Sequence, residues 1–347
     1  MKTDEQITRL IQQHKFDSAR YGCIDRLKRS RLDAQAWVFL SQTMVGLKRG
    51  DMAKLCLQRA ALLAPFADFR QAWNDTERVG RGSPDKQVQT LLDTEHVPVS
   101  ACVLTLDSSR TIRQCIAALV PAVDEIVVVD TGSQDDTVQI LESLGLDVHY
   151  FEWIDDFSAA RTYAESLAAH DWIITVDSDE ILVLFDVNTI RVAAALFNGT
   201  GMALNAIQLN RIGERVVNVH PTARMYQKST GIRWRYPIHE QLETRQGHEV
   251  SRLQTQDVNI QLLHDGYDNT ATSQIAKVER NIRIIRSVLA SEPTHPVFLF
   301  YLARELQKLG HSDEAQSSIE SAIKHEDGTT GMRGEMEKLQ ASIRAHS

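Results

Sequence analysis

The chain has 347 residues, long enough for two or three domains with buried cores. Hydrophobic residues make up 43% and charged residues 24%, the balance of an ordinary soluble globular protein. Lys plus Arg number 38 against 46 Asp plus Glu, and the resulting net charge of −8 carries no nucleic-acid footprint and argues against anionic membranes. No apolar run approaches the ~20 residues that span a bilayer, and MKTDEQITRLIQQHK at the start has no apolar core of a signal peptide. We therefore expect no integral membrane segment and a cytoplasmic protein. Cys23, Cys56, Cys102 and Cys115 are scattered through apolar patterns without metal-type spacing, which predicts buried free thiols in a reducing compartment.

Residues 1–73 read as helical throughout. From Asp33, the residues Trp37, Leu40, Met44, Ala53, Leu57, Ala60 and Pro65 fall at the offsets of a tetratricopeptide repeat, a helix pair of ~34 residues. Gly50-Asp51 reads as its turn, and Pro65 stops the second helix. Two roles are open to such a module: a groove for a peptide or partner, or packing against the next domain. Residues 74–97 are polar with a Gly-Ser-Pro cluster and read as a linker holding one short helix at Gln87–Leu92.

From Pro98 strands and helices alternate: strands at 99–106, 124–130, 146–153 and 172–177, with helices between them. That rhythm predicts an α/β domain with a mostly parallel sheet, over residues 98–267, whose ligands bind at the carboxyl ends of the strands. Past residue 200 the pattern is strand-rich, ending at Val258–Leu263. Residues 268–347 turn helical, and Leu302, Ala303, Ala315, Ile319 and Ala322 again match the repeat offsets around a Gly310-His311-Ser312 turn. The tail after Glu326 predicts fraying or one weak helix.

The strand WIITVD runs into Asp177-Ser178-Asp179-Glu180, three carboxylates in four residues. Like charges this close repel, and burying them unpaired costs several kcal/mol or shifts their pKa values. A sharp turn after Asp177 would let Asp177 and Asp179 reach one hard divalent cation, Mg2+ or Mn2+, bridging to a diphosphate. A solvated turn is the plain alternative. Asp130 ends the second strand, where its carboxylate can accept hydrogen bonds from a ribose or base. Turn and cap chemistry accounts for Ser133, Asp135 and Asp136 but leaves Asp130 over. Arg161 can reach a base carbonyl or phosphate, or pair with Asp155 or Asp156.

VSACVLTLDSSRTIRQCI, DEIVVVDTGSQDDT, DDFSAARTYAES and DWIITVDSDE, in that order, resemble a family 2 glycosyltransferase of the nucleotide-binding GT-A fold. RMYQ at Arg224, RYPIHEQL at Arg235, HDGY at His264 and the helices that follow are similar to the sublancin-type S-glycosyltransferases, which modify peptide side chains. The resemblance implies a nucleotide-sugar domain flanked by helical repeat segments. It implies a UDP-sugar donor held by Thr105, Asp130, Arg161 and Asp177, with Arg224 offsetting leaving-group charge. Asp179 and His264 are the implied metal ligands, and a histidine among them suits Mn2+. A metal-bound Asp179 cannot also serve as base, so Glu240 of IHEQL is the candidate, with His239 as alternative or orienter. The implied acceptor is a peptide or protein side chain, Cys or Ser/Thr. A glycolipid such as a lipopolysaccharide core is the other acceptor class. The chain departs from the family at Asp107-Ser108, where Asn-Glu is usual, and this motivates a further alternative, an inactive repeat scaffold. The sequence leaves the oligomeric state open, a homo-oligomer included.

Overall fold

The structure is a computed structural model that describes residues 2–184, 186–212, 215–244, 254–264 and 271–346. Asp265-Gly266-Tyr267 of the HDGY motif, and the expected domain boundary at 267, lie outside the described residues. Its contacts divide the chain into two compact units.

The first unit comprises residues 1–150, 164–232 and 244–266. It opens with helices α1 (Asp4–Gln12), α2 (Phe16–Arg29), α3 (Ala34–Gly46), α4 (Gly50–Leu63), α5 (Arg70–Glu77) and α6 (Lys86–Leu92). Side-chain caps mark where the sequence starts several of them. Thr3 and Gln6 form a reciprocal capping box at α1, Asp33 accepts from the Ala36 amide, and Asp85 accepts from the Gln87 and Val88 amides. Asp85 also binds Arg20 at 2.5 Å and Arg49 at 2.7 Å, tying α2 and α4 to the start of α6. The repeat residues Trp37, Leu40, Met44, Ala53, Leu57 and Ala60 are fully buried.

Gly50 has a different reason from the expected one. It begins α4, and the backbone of 79–81 lies against it: Gly50 N donates to Gly80 O at 3.0 Å and Asp51 N to Arg81 O at 3.1 Å. A Cβ there would stand 2.5 Å from Val79 O and 2.7 Å from Gly80 O. The glycine permits a close backbone approach, and the turn lies before it at Lys48, whose φ is 60°.

Next come β1 (Val99–Thr105), α7 (Ile112–Leu119), β2 (Glu125–Asp130), α8 (Thr137–Ser143), β3 (Val148–Tyr150), α9 (Phe157–Leu167), β4 (Trp172–Asp177), β5 (Glu180–Val183) and α10 (Thr189–Phe197). β6 (Ala203–Ile212), β7 (Arg215–Gln227) and, after β8 (Arg233–Arg235) and β9 (Gln241–Glu243), β10 (Thr255–His264) complete the strands. One sheet has the order β3-β2-β1-β4-β7-β6-β10-β5. Its first four strands are mutually parallel, and β7 then pairs antiparallel to β4 and β6, while β10 is parallel to β6 and antiparallel to β5. The α/β class read from the sequence is therefore present, with a mixed sheet. β1 and β4 are buried almost throughout, as expected of central strands covered on both faces. One hydrophobic core runs from Ile7, Trp37 and Leu40 of the N-terminal helices through Val99 and Val103 of β1 to Leu262 of β10.

The second unit comprises residues 151–163, 233–243 and 267–347. It holds the β8–β9 hairpin and the helices α11 (Ala271–Ser291), α12 (Pro296–Lys308), α13 (Ser312–His325) and α14 (Arg333–His346). Ile238, Ile285, Phe298, Ala303, Ile319, Met336 and Ile343 form its core. The polar tail thus yields a helix anchored by Met336 and Ile343. Among the described residues, no helix is long and apolar enough to cross a membrane.

Gly50→Ala forces either α4 or the 79–81 backbone to move, and we expect it to cost about 1–3 kcal/mol in urea unfolding. An unchanged midpoint would show that this approach is not a constraint.

Candidate functional site

Because β1, β2 and β4 are parallel, their carboxyl ends meet at one edge of the sheet, with Thr105 in register with Asp130 and Leu104 with Asp177. This is where open α/β sheets take their ligands.

The three crowded carboxylates separate by role. Asp177 ends β4, Asp179 lies in the turn, and Glu180 starts β5 with 0% exposure. Arg224 of β7 supplies the opposing charge: its Nη2 donates to Glu180 Oε1 at 2.7 Å and to Asp177 Oδ2 at 3.0 Å. Gln208 of β6 donates to Glu180 Oε1 at 3.1 Å, and the Asp177 amide to Oε2 at 3.0 Å. Burial pushes the Glu180 carboxyl up to about 7 against the pull of Arg224. Arg224, expected at the leaving group or in a surface pair, is 5% exposed and engaged beneath the strand end. Sequence reasoning counted Glu180 among the acids but gave it no role. The usable signal was a carboxylate opening an apolar strand, which demands a buried cation from elsewhere.

Asp179 and His264 come together from the turn and the end of β10, with Asp179 Oδ2 3.1 Å from His264 Nε2. On the other side His264 Nδ1 is 3.0 Å from Asn210 Oδ1. Both ring nitrogens face acceptor oxygens, so the imidazolium satisfies both, and the Asp179 contact, opposed by burial, raises the His264 pKa. The donor set fits a divalent cation: Nδ1–H given to Asn210 leaves Nε2 as a ligand beside a carboxylate oxygen. Among the described residues no group of three or more His, Cys, Asp or Glu is arranged to hold a metal. Asp179 and His264 are the two side chains among the described residues that could hold such a cation.

Asp130 has the turn role that the sequence reading withheld from it. It is 2% exposed, and its Oδ2 accepts the Gly132 and Ser133 amides at 2.9 Å each, while its Oδ1 accepts the Ser133 hydroxyl. Next to it, Thr105 Oγ1 is buried and has no hydrogen-bond partner among the described residues.

In the second unit Arg161 Nε donates to Glu240 Oε1 at 2.9 Å, both side chains being largely buried. The expected alternatives for Arg161, Asp155 and Asp156, are otherwise used: Asp155 binds Arg283 and Asp156 accepts the Ala159 amide. The Arg161 guanidinium also lies 5.1 Å over Trp234. His239 does not orient Glu240. Its ring stacks on Tyr301 at 3.7 Å and meets Arg304 Nη2 at 3.4 Å. Burial, with Arg304 and Lys308 nearby, pushes its pKa down to about 3, which makes the neutral ring a poor proton acceptor.

Residues 100–249 match the family model described as glycosyl transferase family 2. Over 291 residues the chain is 25% identical to the SPbeta prophage-derived glycosyltransferase SunS of Bacillus subtilis, covering 82% of this chain and 65% of that protein. The resemblance read from the motifs is borne out by these two matches. Over 235 residues the chain is 28% identical to a TPR repeat-containing protein of Synechococcus elongatus, covering 65% of this chain and 56% of that protein. The chain thus spans less than two thirds of either relative. Among solved structures, S. aureus TarS 1–349 in complex with UDP-GlcNAc aligns with a TM-score of 0.43 at 16% identity, covering 72% of this chain and 89% of that one.

Arg224→Met leaves Glu180 and Asp177 without their cation and should cost about 3–5 kcal/mol in urea unfolding. Adding Glu180→Gln should recover part of that loss. A double variant no more stable than the single one would mean that the uncompensated Glu180 charge is not what destabilises Arg224→Met.

Proposed function

We propose, from the premise that residues 100–249 form a family 2 glycosyltransferase domain, that the chain is a metal-dependent, inverting glycosyltransferase. It moves a sugar from a nucleotide-diphospho-sugar, of which UDP-sugars are the first class to test, to a peptide or protein side chain. The observation that carries this reading is the convergence of Asp177, Asp179 and His264 at the carboxyl ends of parallel strands, with Arg224 and Glu180 fixed below. Asp179 and His264 would hold the cation, which when bound offsets charge on the departing diphosphate. Arg224 acts as a positioning residue, since its Nη2 is bound to Asp177 and Glu180. Asp130 shapes the turn after β2. Thr105, whose buried hydroxyl meets no partner among the described residues, is the group there with a hydrogen bond still to give.

An in-line displacement needs a base for the acceptor's proton. Glu240 suits that role: Arg161 binds its Oε1 and fixes the carboxylate, and Oε2 has no hydrogen-bond partner among the described residues. A cysteine acceptor would need the least help, since a few per cent of it is thiolate at neutral pH.

The acceptor class rests on a groove of about 730 Å3 on the N-terminal helices, lined by α1, α3 and α5. Gln12, Gln35, Gln42 and Gln71 face it together with apolar residues such as Val38 and Phe39, a mix of amide and apolar surface that suits a peptide. Its lining contains neither Lys nor Arg, so the phosphates of a lipopolysaccharide core would find no counter-charge there.

Thermal unfolding with nucleoside diphosphates and diphospho-sugars, with and without Mn2+, tests the donor. A ligand at a hundred times its dissociation constant adds about 2.7 kcal/mol. We expect a Mn2+-dependent rise with one nucleotide, lost in Asp179→Ala while the ligand-free midpoint stays in place. No rise with any ligand would favour the inactive scaffold. Glu240→Gln should abolish transfer and spare nucleotide binding, and an unchanged kcat would remove Glu240 as the base. Gln42→Trp, filling the groove from an exposed position, should raise the acceptor KM and leave donor hydrolysis alone. Equal effects on both would reject the groove as the acceptor's seat.

A further inference from the structure

We propose that Asp107 and Ser108 are positioning residues that lock the three strand-end loops into the shape that receives the donor. The inference rests on the nucleotide-sugar reading above.

The loop after β1 reaches both of its neighbours. Asp107 Oδ1 accepts the Gln134 amide at 2.7 Å and the Asp135 amide at 3.3 Å, and the Asp107 amide donates to Ser133 Oγ at 2.9 Å. Ser133 in turn donates its hydroxyl to buried Asp130. The Ser108 amide donates to Thr137 Oγ1 at 2.7 Å, and the Ser109 amide to Asp135 Oδ2 at 3.0 Å. These bonds fasten the β1 loop to the β2 loop.

The second link runs to the metal-side turn. Ser108 Oγ and Ser178 Oγ are 2.7 Å apart, and Ser108 gives its one hydroxyl proton to Leu106 O at 3.0 Å. With that bond made, Ser178 is left to donate to Ser108. Ser178 is 7% exposed and stands between Asp177 and Asp179. The angle at which those two carboxylates leave the turn is thus tied to the β1 loop.

Asp107 holds this place at φ 46°, a left-handed conformation that strains an L residue and that Asn and Asp tolerate best. An exposed residue gains nothing from burial there, so the strain is sustained by the cross-loop bonds. Both side-chain bonds end on one oxygen, Oδ1, which an asparagine also offers. The chemistry therefore asks for an acceptor at 107 and does not ask for a charge.

The test measures donor affinity and steady-state kinetics in Asp107→Asn, Asp107→Ala, Asp107→Gly, Ser108→Ala, Ser178→Ala and the double serine variant. Asp107→Asn should behave as wild type. Asp107→Ala should raise the donor KM and dissociation constant about tenfold, as expected for losing two hydrogen bonds, with a much smaller change in kcat. Asp107→Gly relieves the strain yet removes the acceptor, so it should match Asp107→Ala, and it carries the test if the alanine variant fails to fold. Ser108→Ala and Ser178→Ala should each weaken donor binding, and the double variant should be no worse than the worse single one. Wild-type donor affinity in both Asp107→Ala and Asp107→Gly would overturn the inference alone, as would an Asp107→Asn variant as impaired as Asp107→Ala. A wild-type protein that binds no nucleotide would overturn the functional reading and this inference with it.

Discussion

Arg224 lies under Asp177 and Glu180, and the arrangement of the strand ends depends on that cation. Two carboxylates within one turn of chain, one of them fully buried, cannot stay ionised in a low-dielectric interior without a partner. The guanidinium meets both from a single nitrogen. It reaches them because β7 runs antiparallel beside β4, in the middle of the sheet. The sheet order and the charge arrangement are therefore one constraint. A sheet that placed another strand beside β4 would take that cation away from both acids. With Glu180 bound by Arg224, Gln208 and the Asp177 amide, Asp179 is left to face His264 across the turn.

Hydrogen bonds organise the rim where charge organises the base. Asp130 is spent on its own turn, and Asp107 holds that turn through Ser133. Polar residues that are individually common in loops here form a connected set across β1, β2 and β4. Such a set fixes loop shape more firmly than isolated turns would, because donors in one loop find their acceptors in another.

The helical modules divide in an unequal way. The N-terminal helices contribute Trp37, Leu40 and Leu62 to the same core as the sheet, so packing is one role they fill. Their groove is a separate feature, on the face formed by α1, α3 and α5. The C-terminal helices have a core of their own with Ile238 of the hairpin loop, and the Arg161–Glu240 pair belongs to that unit. Both modules bury small alanines on their paired helices, at Ala53 and Ala60 in one and Ala303 and Ala315 in the other, all fully buried.

The sequence by itself determined the elements and the class of the protein. Hydrophobic periodicity placed the helix pairs and central strands, and the ordered motifs pointed to the family whose model matches residues 100–249, because those signals are local. Local chemistry also placed Asp179 at a turn and His264 at a strand end. It could not say what any charged group would meet. Arg224 and Glu180 are 44 residues apart in the chain, Arg161 and Glu240 are 79 apart, and Asp107 binds amides 27 and 28 residues away. Partner choice at that range follows from strand order and register, which sequence periodicity does not encode. That is why Arg224 meets Asp177 and Glu180, and why Glu240 pairs with Arg161 while His239 stacks on Tyr301. It is also why Gly50 proved to be a point of backbone contact, since only the folded chain brings residues 79–81 against it.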